Sequence, residues 1–391
     1  MSLSDSHRAF AAPFSPLVNQ ELDRDRAFHP NLGGVTKGGM ANHYPMTLIA
    51  LHGLGASDDE VEAFRAAWPR HRASIADDLR IVDRRVVTVD NWHGFLGHAE
   101  RLPELRRVFE ELIARRPGLG ALPAILADMQ DALPMGLFHP LIRVYFATLH
   151  GDRGLVADAL AYMAIRYFDV YRSDSIPARG TGSGSRSAES VWRELAANDD
   201  VASLVHSVRG GSIRICEELC ASASLHEAAL PADFDLSAAS LRTTMPAICS
   251  LAIRLYVQAP SLTTLHAVTA AQALAHLTLR AGDEATEVFA ALWARYWIWL
   301  TALHLEKGRP LELPVSDEGE PPEEAWSELS ARARAIPEVH VIKMTFSCRW
   351  LDEAFGPEPL YKVAITNVLA KHGHGIVREG ERRSEGVRPR R

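Results

Sequence analysis

Cysteine is scarce in this chain: Cys216, Cys220, Cys249 and Cys348 are the four among 391 residues. The N-terminal MSLSDSHRAFAAPFSP has no basic stretch leading into an apolar core, so it does not read as a secretory signal. The thiols are therefore expected to be reduced, and the expected compartment is the cytoplasm. Cys216 and Cys220 stand four apart in a helical pattern and could share a metal, but no second pair lies near to complete a zinc site. Long apolar runs are also missing. The nearest, VFAALWARYWIWLTALHL (288–305), is interrupted by Arg295 and is followed by Lys307, which excludes a membrane span. Nor is there a basic excess: 42 Lys and Arg against 49 Asp and Glu leave a net charge of −7, with no global field for nucleic acid. The one basic run, ERRSEGVRPRR (381–391), is mixed with Glu and has no aromatics. It reads as the end of a disordered tail spanning 371–391.

Strand signals are sparse as well. Only RIVDRRVVTV (80–89) clusters β-branched residues, too little for a parallel α/β fold. The common catalytic signatures are absent too: no G-x-S-x-G elbow, no Gly-Lys-Ser/Thr phosphate loop, no G-x-G-x-x-G after a strand, no H-E-x-x-H. The paired E-x-x-H motifs of di-iron bundles are missing as well. GLGAS (53–57) follows a helix-like segment and reads as its terminus rather than as a nucleotide loop.

What the chain does have is helical periodicity. Ser57-Asp58-Asp59-Glu60 is a capping box opening a helix that Pro69 closes. In PELRRVFEELIARR (103–116), Leu105, Val108, Phe109 and Leu112 fall at i, i+3, i+4 and i+7, one buried face. Comparable patterns recur at 120–133, 139–149, 153–168, 188–198, 201–222, 239–257, 263–279, 284–306, 322–334 and 338–354. These patterns predict an all-α fold, one large, irregular helical domain; the histidines taken up next are the reason to expect a metal site between its helices. Residues 1–40, broken by Pro13, Pro16, Pro30 and two Gly pairs, are expected to be irregular. ARGTGSGSRS (178–187) reads as a linker or as a mobile loop over a site.

Chemistry then falls to histidine, of which there are 17, several in apolar contexts where an unpartnered imidazole is costly. In ANHYPMTLIALHGLGAS (41–57), Pro45 suits a first helical turn and places His43 at its start. His52, nine residues on, is about half a turn out of phase and does not share a site with it. His139 precedes Pro140 in GLFHPLIRVYFATLH and again sits at a helix entry, with His150 about 16 Å further up the axis. His266 lies among small alanines in TTLHAVTAAQALAHL, where another helix can approach closely. Taken singly, each also reads as a hydrogen-bonded structural histidine. In PEVHVIKMTFSCRWL, His340 and Lys343 are spaced i, i+3 on a face otherwise made of Val, Met, Phe and Cys. A lysine buried there must pair with an acid, lose its proton, be modified, or snorkel out.

Taken in order, NHYPMTLIALHGLGAS, Trp92 and Gly97 in NWHGFLG, FHPLIRVYFA, LHAVTAAQAL and HVIKMTF resemble the questin oxidase-like family over about residues 41–370. Members are helical oxidoreductases of secondary metabolism, formerly described as Baeyer–Villiger-type oxidases, that open anthraquinone and related polyketide rings with O₂. The resemblance implies a mononuclear non-haem Fe(II) site. His43, His139, His266 and His340 would be its imidazole ligands, and Lys343, carboxylated by CO₂, would complete the set. It also implies a small aromatic substrate, with NADPH as an external reductant or a pre-reduced substrate, because the chain shows no nicotinamide fold. Met46 stands where fungal-type members often have a second histidine. The aromatic run Trp293, Tyr296, Trp297 and Trp299 could wall a flat substrate or be general core. Two other classes remain open at this point: a hydrolase using the same metal, and a helical binding or scaffold protein whose histidines are core.

Overall fold

The Ser57 capping box forms as its residues predict: the Ser57 hydroxyl accepts from the Glu60 N–H at 3.3 Å, and the Glu60 carboxylate accepts from the Ser57 N–H at 2.8 Å. The computed structural model describes residues 13–34, 40–68, 74–75, 85–172, 184–282, 285–308 and 324–384, with side chains through 372. In chain order its helices are α1 (Pro16–Asp25), α2 (Tyr44–Gly53), α3 (Asp58–Ala67), α4 (Leu102–Ala114), α5 (Leu122–Asp128), α6 (His139–His150), α7 (Arg153–Ile165), α8 (Ala188–Ala196) and α9 (Asp199–Ser207). They continue as α10 (Ser212–Cys220), α11 (Ala223–Ala229), α12 (Leu241–Gln258), α13 (Leu262–Ala281), α14 (Thr286–Lys307), α15 (Trp326–Arg334), α16 (Val339–Phe355) and α17 (Pro359–Ser384). Among the described residues the only β pairing is two isolated bridges, Phe28 with Ser74 and Asn31 with Ala41. The fold is all-α, as expected. Of the segment with strand character, residues 85–88 are irregular and 80–84 lie outside the described residues.

The structure differs from the sequence reading in three places. Pro16–Asp25, inside the stretch expected to be irregular, is helical: Pro16 suits the first turn, and the Ser15 hydroxyl caps it by accepting from Val18 N–H. The single pattern at 201–222 is two helices, because Gly210, at φ +146°, and Gly211 interrupt it. Helix α17 runs to Ser384, well into the segment expected to be a disordered tail. The Gly/Ser stretch at 178–187 lies mostly outside the described residues.

Two helices that are apolar on every side form the centre. α13 is buried without a break from Thr263 to Thr278, and α14 is buried from Leu292 to His304. Alanines at 267, 270, 271, 273 and 275 keep α13 slim, so α6, α12, α14 and α16 all pack against it. α2 in turn packs on α6 and α16. Trp293, Tyr296, Trp297 and Trp299 are all buried core, each worth on the order of 3 kcal/mol of burial. Arg295, which breaks the apolar run, is held at 2.7 Å by Asp131. No helix among the described residues is long and apolar enough to cross a membrane. All four cysteines are buried and free, and burial pushes the Cys216 and Cys220 thiols far up, away from thiolate chemistry.

Candidate active site

Four helix starts converge between α2, α6, α13 and α16, and each brings one of the singled-out histidines. His43 is the residue before α2. Its imidazole makes no capping bond, because the Asn42 side chain accepts from the Tyr44 N–H at 3.1 Å instead. Asn42 is itself held from α1, donating to both carboxylate oxygens of buried Asp25 at 2.9 and 3.0 Å. Arg143 donates to the Asn42 carbonyl at 3.3 Å, and the Thr47 hydroxyl donates to the His43 carbonyl at 2.9 Å.

His139 opens α6 behind three consecutive left-handed residues, Gly136, Leu137 and Phe138, at φ +58°, +54° and +61°. For Leu and Phe this geometry costs on the order of 1–2 kcal/mol each. The Phe138 ring offsets it by packing edge-on against Trp299 at 4.7 Å and against Tyr296 at 5.7 Å. This turn aims the Gly136 carbonyl at His139 Nδ1, where it accepts a short hydrogen bond. His266, one turn into α13, likewise faces the Leu262 carbonyl with Nδ1, at 2.7 Å. Tyr296 donates to the Ala267 carbonyl at 2.8 Å and fixes this turn against α14. His340 follows the cap of α16. That cap, Glu338, accepts from the N–H groups of His340 and Val341 at 2.8 and 2.7 Å and from His340 Nδ1 at 2.8 Å.

All five residues singled out by sequence are thus brought together. His139 stands 4.6 Å from His43 and 4.4 Å from His266 between ring centroids; His340 stands 4.9 Å from His43 and 5.3 Å from His266. Lys343, 1% exposed, points its Nζ at His43 Nδ1 from 2.8 Å and forms no ion pair with a described residue. His52, expected not to share a site with His43, stacks on Phe14 instead, and His150 packs tilted against the same ring.

Two features of the cluster bear on its chemistry. First, the Nδ1 atoms of His139 and His266 both face carbonyl oxygens and so carry the ring protons. Their Nε2 lone pairs are left facing one another across 3.0 Å. A proton shared between them is disfavoured: burial, with Lys343 and its neighbours, brings His139 down to about 3, and burial with His139 holds His266 well below its ordinary value. Second, burial lowers Lys343 to about 7, against a smaller opposing pull from Glu338, so its amine is readily neutral. His43 is likewise held well below its ordinary value by burial and then by Lys343. Burial of Glu338 works the other way, but its bonds to His340 and Val341 keep its carboxyl below the usual range. As they stand, the rings pack against one another. Among the described residues no group of three or more His, Cys, Asp or Glu is placed to hold a metal ion.

A cavity of about 540 Å³ opens beside His340, over the starts of α13 and α16, with Leu262, Leu265, Glu338 and Val341 in its wall. That volume falls within the range of small-molecule sites. A larger one, about 720 Å³, lies around the opposite ends of α6 and α13, away from the cluster.

Sequence reasoning missed the supports. Glu338 was detectable as an acidic residue at the cap position ahead of His340. Asn42 adjoins His43, but nothing in the pattern marks Asp25, which reaches it from seventeen residues away.

An all-helical chain with a largely buried cluster of four imidazoles and one amine beside a cavity is the frame of an enzyme for a small molecule. A family model described as Questin oxidase-like matches residues 40–348, and the chain belongs to that family. Membership implies an oxidoreductase, an oxidase acting on aromatic polyketides. No curated protein matches the sequence.

Proposed function

We propose that this protein is a non-haem iron oxygenase that opens a ring of an aromatic polyketide or quinone-type substrate. The observation that supports it best is the pair of Nε2 lone pairs of His139 and His266 facing each other at 3.0 Å in a buried site. His139 and His266 would hold a cation through these nitrogens, where burial disfavours a shared proton. His43 and His340 supply the other imidazoles. Glu338 holds the His340 Nδ1–H and leaves Nε2 available, the outer support usual for a metal-bound histidine. Binding an ion requires the rings to turn out of their mutual packing. Lys343 supplies the oxygen ligand: its neutral Nζ attacks CO₂, an N–C bond forms, one proton leaves, and the carbamate carries the charge that no carboxylate in the cluster provides.

Iron held there supplies the one-electron chemistry that O₂ requires. The chain's own part is to seat the substrate in the cavity beside His340, to exclude water, and to fix the tautomers of His139, His266 and His340 through Gly136, Leu262 and Glu338. Reducing equivalents come from outside, from NADPH or from a substrate already reduced to its hydroquinone.

Metal analysis of tag-free protein, paired with turnover in air and under argon, tests this reading. About one iron per chain and turnover that stops without O₂ are expected. Unchanged anaerobic turnover would identify a hydrolase, and absence of bound metal a binding or scaffold protein; either result overturns the assignment. The Asn42 support gives a graded test. Asn42→Ala is expected to weaken Fe(II) binding by about 10–100-fold, the usual cost of losing an outer support, as read by chelator competition. Parental affinity in a folded variant would show that Asn42 does not position His43.

A further inference from the structure

The cavity beside His340 has two walls of different origin. The floor, with Leu265, His340 and Val341, belongs to helices within the family match at 40–348. The facing wall is α17, which begins at Pro359, beyond that match. Its Ala364, Asn367, Val368 and Lys371 fall at i, i+3, i+4 and i+7 and all line the cavity, so one continuous face of α17 closes it. That face is mixed. Ala364 and Val368 are buried and supply an apolar strip, whereas Asn367 and Lys371 are exposed and one turn apart. Charge in the cavity is uneven as well. Glu338 is engaged by two backbone N–H groups and the His340 ring, whereas Lys371 forms no ion pair with a described residue.

We propose that α17 is the specificity element of this enzyme, with Lys371 and Asn367 binding an ionised phenolic oxygen of the aromatic substrate while Ala364 and Val368 lie against its ring. The inference rests on the cavity being the substrate site assigned above. The proposed metal ligands all lie within the family match at 40–348, and α17 selects among aromatic bodies by the position of their acidic oxygen. Lysine suits this role as a mobile point charge, and an amide one turn away adds a directional donor.

The test uses metal-free, full-length protein, so that binding is read independently of iron. The probes are 2-hydroxyanthraquinone, followed by the visible band of its phenolate, and 2-methoxyanthraquinone, followed by quenching of tryptophan fluorescence. The hydroxy compound is expected to bind at least about tenfold more tightly, the increment of one charge-assisted hydrogen bond. Lys371→Met and Asn367→Leu should each reduce that preference, and Lys371→Arg should keep it. Equal binding of the two probes, or a preference unchanged in Lys371→Met, overturns the assignment to α17. Failure of both probes to bind overturns the cavity as the substrate site and leaves the iron measurement untouched. Loss of the iron reading with the preference intact does the reverse.

Discussion

Removing either His139 or His266 is expected to empty the metal site, the single variants doing so as completely as the double. Both rings are fixed by backbone carbonyls at Nδ1 and turn their Nε2 atoms toward each other at 3.0 Å, so both would be needed to hold the proposed ion. Loss of one ligand should cost more than the roughly 10–100-fold typical of an outer support, and turnover should fall with it. A second readout separates this from simple damage to the fold. Metal-free parent protein holds two lone pairs against each other in a buried site, an arrangement that destabilises the native state. His139→Ala and His266→Ala relieve it. Their metal-free forms should therefore melt close to the metal-free parent, although large-to-small changes at other buried sites cost several kcal/mol. The metal-loaded parent should melt well above both. A single variant that keeps parental iron would refute the paired-ligand reading, as would metal-free variants that are severely destabilised.

Lys343→Met is expected to have two large effects of opposite kind. It removes the only amine in the cluster, so metal loading and turnover should be lost, and added bicarbonate should not restore them. At the same time it should stabilise the metal-free fold near neutral pH. The folded-state pKa of Lys343 lies at about 7, below its ordinary value of 10.5, because the amine is buried. Between these values the unfolded chain binds a proton that the folded chain rejects, so parental stability rises with pH across the window. The slope approaches ~1.4 kcal/mol per pH unit, and at pH 7 the parent carries nearly the whole penalty. Methionine is close in length, fills the same apolar space and has no such term. Urea unfolding of metal-free, CO₂-depleted protein should accordingly show the variant ahead by several kcal/mol at pH 7 and nearly level with the parent at pH 10.5. A difference that does not depend on pH would mean that Lys343 reaches solvent and is not neutral in the fold.

Much of this frame was legible in the residues. The capping box at Ser57, the one-faced pattern of α4 and the proline-marked entries at His43 and His139 are local, and helix formation there is decided within one or two turns. The i, i+3 pair His340 and Lys343 likewise announced a shared face. Less legible were helices whose signals were broken or weak. Prolines at both ends of 13–30 mask the signal of α1, and apolar periodicity continues across the Gly210-Gly211 break between α9 and α10.

The sequence by itself determined which side chains could do chemistry and that each would stand at or near a helix start, because both are short-range properties. Only tertiary structure decided that the four imidazoles meet, since they lie on helices separated by up to 297 residues, His43 to His340, and periodicity carries no information about which helices pack together. It also decided their state. His139 and His266 would be ordinary bases in water and are neutral lone-pair donors here, because the packed helices bury both rings and carbonyl oxygens choose the protonated nitrogen. Burial and orientation are properties of the packed assembly, and from them come both the neutral lysine and the facing nitrogens on which the proposed chemistry rests.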